Sequence, residues 1–171
     1  AWAALAHGRM ALYYRLDIDG QTKQSAANRL LADETMKKAR EVASDSFDVM
    51  STFFREMLLR RGQLKQKRLA NRESVSQEQI DAAELAVLEA QDILVSIFDP
   101  MKHSDRTPEI VSLLLKATEG GAGIAVEILQ KHISQYPKDY NRRYLLAAVL
   151  NQEQLFDEAS EQTQIIVDSL S

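Results

Sequence analysis

Chemistry needs side chains of the right type within reach of one another, and this sequence offers few such sets. Its three histidines, His7, His103 and His132, stand far apart. None forms the His-x-x-x-His or His-Glu-x-x-His spacing that puts two zinc ligands on one helix face. The absence of cysteine excludes disulfides, thiol nucleophiles and thiolate-bound zinc. "EGGAG", residues 119–123, is rich in glycine but lacks the Lys-Ser/Thr that completes a phosphate-binding loop. Asp17 and Asp19 before Gly20 resemble part of a calcium loop. Arg15, however, stands where the first acid belongs, so an ordinary turn is expected. The many carboxylates cannot be paired into an acid–base set without a fold. The expectation is a protein without catalytic residues, metal or cofactor.

One constellation does carry a physical consequence. Residues 55–72 hold seven basic side chains and one acid, and Arg61, Lys65, Arg68 and Arg72 fall at i, i+4, i+7 and i+11, one stripe of a helix. Such a stripe can neutralise phosphates and bind nucleic acid or another anionic surface without reading sequence. Beside it, residues 73–99 carry seven acids and no lysine or arginine. If the chain turns near 71–75 into an antiparallel hairpin, Arg72 meets Glu78 and Arg68 meets Asp81. Glu78, Asp81, Glu89 and Asp92 share one face of the second helix of that hairpin, with Glu84 a further candidate partner, and the basic field is then internally screened. A plain solvated face is the third reading.

The elements that must position these groups are helices. Of 171 residues, 45% are hydrophobic and 27% charged, with net charge −4. Leu, Ala, Glu, Gln, Lys and Arg dominate, and there are only 6 Gly and 3 Pro. No apolar run reaches the roughly 18 residues needed to span a bilayer. The chain starts at Ala1-Trp2, as an excised domain or processed form would.

Reading forward, a first helix carries Trp2, Leu5, Arg9 and Leu12–Tyr13, and "LDIDGQTKQS" reads as a loop. A second helix covers 25–42, and Ser44, Asp45 or Ser46 caps a third. The third shows a core stripe of Phe47, Met50, Phe54 and Met57–Leu58. "SVSQEQI" is a capping box of Ser76 with Gln79, stapled by Val75 and Ile80. It opens a fourth helix whose apolar face is Ile80, Ala83, Val87, Ala90, Leu94 and Ile97–Phe98. "MKHSDR" reads as a linker. Thr107 then caps a fifth helix with Pro108 at its first position, and Gly120, Gly121 and Gly123 end it. Three more helices follow at 123–135, 139–152 and 156–170, with His132 as a packing residue.

A period of 34 residues relates the last two pairs: Ala125 to Ala159, and Gly120 to Gln154. Leu146, Ala147, Leu150, Phe156 and Ala159 fall in the large and small slots of one unit, and Ala125, Leu129 and Pro137 keep the pattern one unit earlier. In these residues the segment resembles a tetratricopeptide repeat, a helix–turn–helix unit of 34 residues. The match is clear over 139–170 and fair over 106–138. Gln154 replaces the usual turn glycine, His132 and Ile166 a small residue, and Lys116 an aromatic or leucine.

The resemblance implies an all-α solenoid of antiparallel helix pairs, about eight helices in all. Residues 1–100 would form a helical bundle or degenerate repeats, and 106–171 two repeat pairs. It further implies a groove lined by the first helix of each pair: Asn141, Tyr144, Ala148 and Asn151, with Ile110 and Leu114 from the preceding unit. Tyr144 and Ala148 stand where relatives that grip a terminal carboxylate place other residues, so that ligand is not expected. The functional expectation is a non-enzymatic scaffold for a protein or peptide partner, within a larger protein or assembly. The alternative is a helical module contacting nucleic acid or another anion through 55–72. A homo-oligomer built on exposed apolar faces is also open.

Overall fold

A computed structural model describes residues 2–18, 20–70, 75–117 and 120–170, without the side chains of residues 2, 3, 17, 18 and 22. Eight α-helices run through them: α1 (Trp2–Ile18), α2 (Thr22–Val42), α3 (Phe47–Leu69), α4 (Gln77–Ile97), α5 (Thr107–Leu114), α6 (Gly121–Gln135), α7 (Tyr140–Gln152) and α8 (Phe156–Asp168). A 3-10 turn, Ser104–Arg106, precedes α5, and no strand occurs among the described residues. The all-α expectation holds. The chain divides into two compact units, Ala1–Ile97 and Phe98–Ser171. No helix among the described residues is long and apolar enough to cross a membrane.

In the first unit α1 pairs with α2 and α3 with α4, and α3 also touches α1 and α2. The loop expected at 16–25 is much shorter, because both flanking helices extend into it. Gly20 stops α1 with a φ of 73°, a left-handed conformation that costs glycine little, and Gln21 N–H donates to Leu16 O at 2.9 Å. The calcium-loop reading involves Asp19 and the side chain of Asp17, which lie outside the described residues. Ser46 caps α3, its hydroxyl accepting from Val49 N–H at 3.5 Å. The capping box forms as its sequence requires: Gln79 N–H donates to Ser76 Oγ at 3.2 Å, and Ser76 N–H to Gln79 Oε1 at 2.9 Å.

Period then decides burial. Phe47, Met50 and Phe54 of α3 are buried, as are Ile80, Val87, Ala90 and Leu94 of α4. Each large member contributes about 1.5–3 kcal/mol through the apolar surface it removes from water.

In the second unit α5 packs on α6, α6 on α7 and α7 on α8. "MKHSDR" is more ordered than a linker: His103 N–H closes a turn on Asp99 O at 2.8 Å, and the 3-10 turn follows directly. Thr107 opens α5 but does not cap it, because its hydroxyl is engaged by His132. The glycines also act differently from expectation. α5 stops at Leu114, and Gly121 and Gly123 belong to α6. A Cβ on Gly121 would lie 2.1 Å from the Leu114 carbonyl oxygen, so only glycine permits this approach of α6 to the end of α5. The core here is Ile110, Val111, Leu114, Ala125, Leu129, Leu146 and Leu150.

Candidate functional site

The most exposed aromatic side chains of the second unit meet on the α7–α8 hairpin. Asp139 starts α7 by accepting Arg142 N–H on Oδ1 at 3.1 Å. From that start the helix turns Leu146, Ala147, Val149 and Leu150 inward and leaves Asn141, Tyr144, Ala148 and Asn151 exposed. A Schellman turn then reverses the chain. Leu155 N–H donates to Leu150 O at 2.9 Å and Gln154 N–H to Asn151 O at 3.1 Å, with Gln154 at a φ of 63°. The turn delivers Phe156 to the head of α8 beside α7.

Between the two helices lies an open groove of about 370 Å³, walled by Tyr144, Ala148 and Asn151 on one side and Phe156, Ser160 and Thr163 on the other. Ala147 and Ala159 complete its lining, and Ala159 is the only α8 residue buried among those described. Tyr144 is 70% exposed and Phe156 60%. Buried Arg143 braces the hairpin, donating from Nη1 to Gln162 Oε1 at 2.6 Å and from Nη2 to Pro137 O at 3.2 Å. Tyr144, Ala148 and Asn151 therefore line one groove. Asn141 is exposed on the same helix outside that lining. Ile110 and Leu114 are fully buried in the core and face no open surface. The groove's other wall, Phe156, Ser160 and Thr163, was not foreseen; the exposed Phe156 after the turn was its one sequence signal.

A second cluster has catalytic geometry without catalytic access. Thr107 Oγ1 lies 3.0 Å from His132 Nδ1, and His132 Nε2 lies 3.0 Å from Asp139 Oδ2. Hydroxyl, imidazole and carboxylate in this order form the relay of a nucleophilic triad. Thr107 is wholly buried and His132 is 1% exposed, so no substrate reaches the hydroxyl. The set instead ties α5, α6 and the start of α7 together, consistent with His132 as a packing residue. Burial opposes the Asp139 charge, but the hydrogen bonds from His132 and the Arg142 backbone outweigh it. Its carboxyl consequently titrates below the ordinary value.

The basic segment lies along α3 against α4. Arg61 Nη1 is 3.1 Å from Glu84 Oε2, and Lys65 Nζ is 2.5 Å from Glu84 Oε1. Arg68 donates to Gln77 Oε1 at 2.5 Å, and Gln77 in turn donates to Asp81 at 2.7 Å. Arg72 lies outside the described residues. Two of the four basic side chains are therefore in salt-bridge reach of α4, and both share Glu84. Arg68 reaches Asp81 only through Gln77. Burial works against the Glu84 charge, yet its two cations win and hold the carboxyl below its usual value.

The most buried carboxylate among the described residues of the first unit belongs to no motif or spacing in the sequence. Glu56, on α3, is 4% exposed; its Oε1 accepts from Tyr14 Oη at 2.9 Å and from Arg60 Nε at 2.7 Å, while Arg60 also pairs with Asp33. Burial pushes the Glu56 carboxyl up, more than Arg60 and Tyr14 draw it down. Burial, reinforced by Glu56, likewise raises the Tyr14 phenol far above its ordinary value. No group of three or more His, Cys, Asp or Glu among the described residues could hold a metal.

No family model matches the chain, and no curated protein or solved structure matches it either.

Proposed function

We propose that the chain is a non-enzymatic interaction scaffold, and that the α7–α8 groove docks a segment of a partner protein. The carrying observation is Tyr144 and Phe156, two exposed aromatic side chains flanking a groove with alanines in its lining. Aromatic residues beside small ones present a rigid, amphipathic surface at little entropic cost, the composition from which interface hot spots are drawn. Asn151, Ser160 and Thr163 add hydrogen-bonding edges. α8 carries Asp157, Glu158, Glu161 and Asp168 and no lysine or arginine, so the groove suits an apolar anchor with basic flanking residues.

The repeat architecture is the framework of this reading. Gly120 and Gln154, 34 residues apart, both hold left-handed backbone within the turn of their pair, and Ala125 and Ala159, also 34 apart, are both buried. These correspondences favour two tetratricopeptide-like hairpins over an unrelated bundle. In the anionic-surface alternative, Arg61 and Lys65 are already committed to Glu84, which weakens the field that reading needs.

Partner capture by the whole chain tests the proposal, with wild type, Tyr144→Ala and Phe156→Ala compared after circular dichroism has established that all three fold. A partner held by wild type should be lost from both variants, since truncating such an anchor removes about 2 kcal/mol or more. Retention of every partner by both variants would move the binding surface elsewhere.

A further inference from the structure

The Glu56 cluster borders a cavity that the scaffold reading does not use. Of about 120 Å³, it lies within the first unit, where α1, α2 and α3 meet; Met10, Met36, Leu59 and Ala6 give it apolar walls, and Tyr14 and Glu56 line it as well. An apolar cavity of about 150 Å³ accepts benzene, so this one has room for an apolar body of about four carbons. His7 and Arg55 also line it, and Ala11, an exposed residue of α1, forms part of its rim.

What distinguishes the cavity is how the carboxylate is bonded. Both hydrogen bonds to Glu56, from Tyr14 and from Arg60, fall on Oε1. Oε2 accepts none from any described residue, although the side chain is 5% exposed. Oε2 keeps some accessible surface and can be reached, and a bound donor there would form a charge-assisted hydrogen bond in a largely desolvated setting. The raised carboxyl of Glu56 reflects that same desolvation.

We propose that this cavity is a binding site for a small amphiphile, a compact apolar body bearing one hydrogen-bond donor whose head pairs with Glu56 Oε2. The body packs against Met10, Met36 and Leu59. Alcohols and primary ammonium ions share the required donor.

The methionine methyl groups supply the test. Met10 and Met36 line the cavity, whereas Met101 is 68% exposed in the other unit and serves as an internal control. The whole chain, with labelled methionine methyls, is titrated separately with 1-butanol, n-butylammonium and 1-chlorobutane, the last matching in size but lacking a donor. Saturable shifts of the Met10 and Met36 signals, with Met101 unmoved, are expected from at least one donor probe. Its affinity should exceed that of 1-chlorobutane by about ten-fold, the equivalent of one hydrogen bond to a buried charged acceptor. Whichever donor binds more tightly identifies the head group. Ala11→Phe, which fills the rim without touching the polar cluster, should abolish the shifts. Glu56→Met should remove the donor preference while leaving apolar binding; if that variant fails to fold, Ala11→Phe and the chlorobutane comparison still decide. Equal affinity for all three probes, shifts that persist in Ala11→Phe, or no saturable shift from either donor would overturn the proposal.

Discussion

At the residue scale, single positions carry identifiable strain or charge. Gln154 adopts a φ of 63° at the turn between α7 and α8, where its Cβ crowds the backbone. Glycine removes that conflict but enlarges the unfolded ensemble, so the gain is partial. Gln154→Gly is expected to raise stability by about 0.5–1 kcal/mol, read as a higher midpoint in urea with an unchanged slope. Asp139 gives a pH signature. Its folded carboxyl titrates below its ordinary value of 3.8, so the folded state binds fewer protons than the unfolded chain. The stabilisation is present above that ordinary value and is lost as pH falls through the folded one. Asp139→Asn, which retains a capping side chain, should melt lower than wild type at neutral pH. The gap should narrow as pH drops below about 4. A constant gap would mean that the carboxylate charge contributes nothing. What sequence could not give here was the partner of each group. Thr107 before Pro108 has the sequence of a cap, yet the partner of its hydroxyl lies 25 residues away on α6.

At the scale of elements, local signals were legible and long-range ones were not. The Ser76–Gln79 box marks the start of α4 because it is closed within four residues. Ser76→Ala should cost about 1 kcal/mol of stability. The opposed stripes of α3 and α4 were readable as charge, but the register was not, since it depends on how two helices cross. Glu84→Gln tests that register: it should remove the carboxylate that Arg61 and Lys65 share, destabilise the hairpin modestly and reduce the salt dependence of its stability, whereas Asp92→Asn on the same helix should do neither. The meeting of α5 and α6 was the least readable. Gly120 and Gly121 look like a helix stop, yet Gly121 is the contact itself. Gly121→Ala should overpack it against a carbonyl that cannot yield, at a cost of roughly 1–3 kcal/mol in chemical denaturation.

At the scale of the whole molecule, helical class and burial followed from composition and period, because both are local averages over many residues. The groove was half legible. Tyr144, Ala148 and Asn151, like Ile110 and Leu114, come from the resemblance to the repeat; the first three line the groove, whereas the last two are core residues. The opposite wall, Phe156, Ser160 and Thr163, depends on how the turn at Gln154 sets α8 beside α7. Glu56 escaped notice because a single acid within a basic, apolar helix gives no pattern. Its meaning arises only when α1 and α2 bring Tyr14 and Asp33 to α3.

The α7–α8 groove as a docking surface is tested most directly by a photo-crosslinking side chain placed on either face of one helix. Ser160 lines the groove, and Glu158 is exposed two residues earlier, pointing to another side of α8. With the same captured partner and folding verified for both variants, position 160 is expected to give a strong crosslinked band and position 158 little or none. Crosslinking from 158 alone, or equally from both, would contradict the groove as the docking surface.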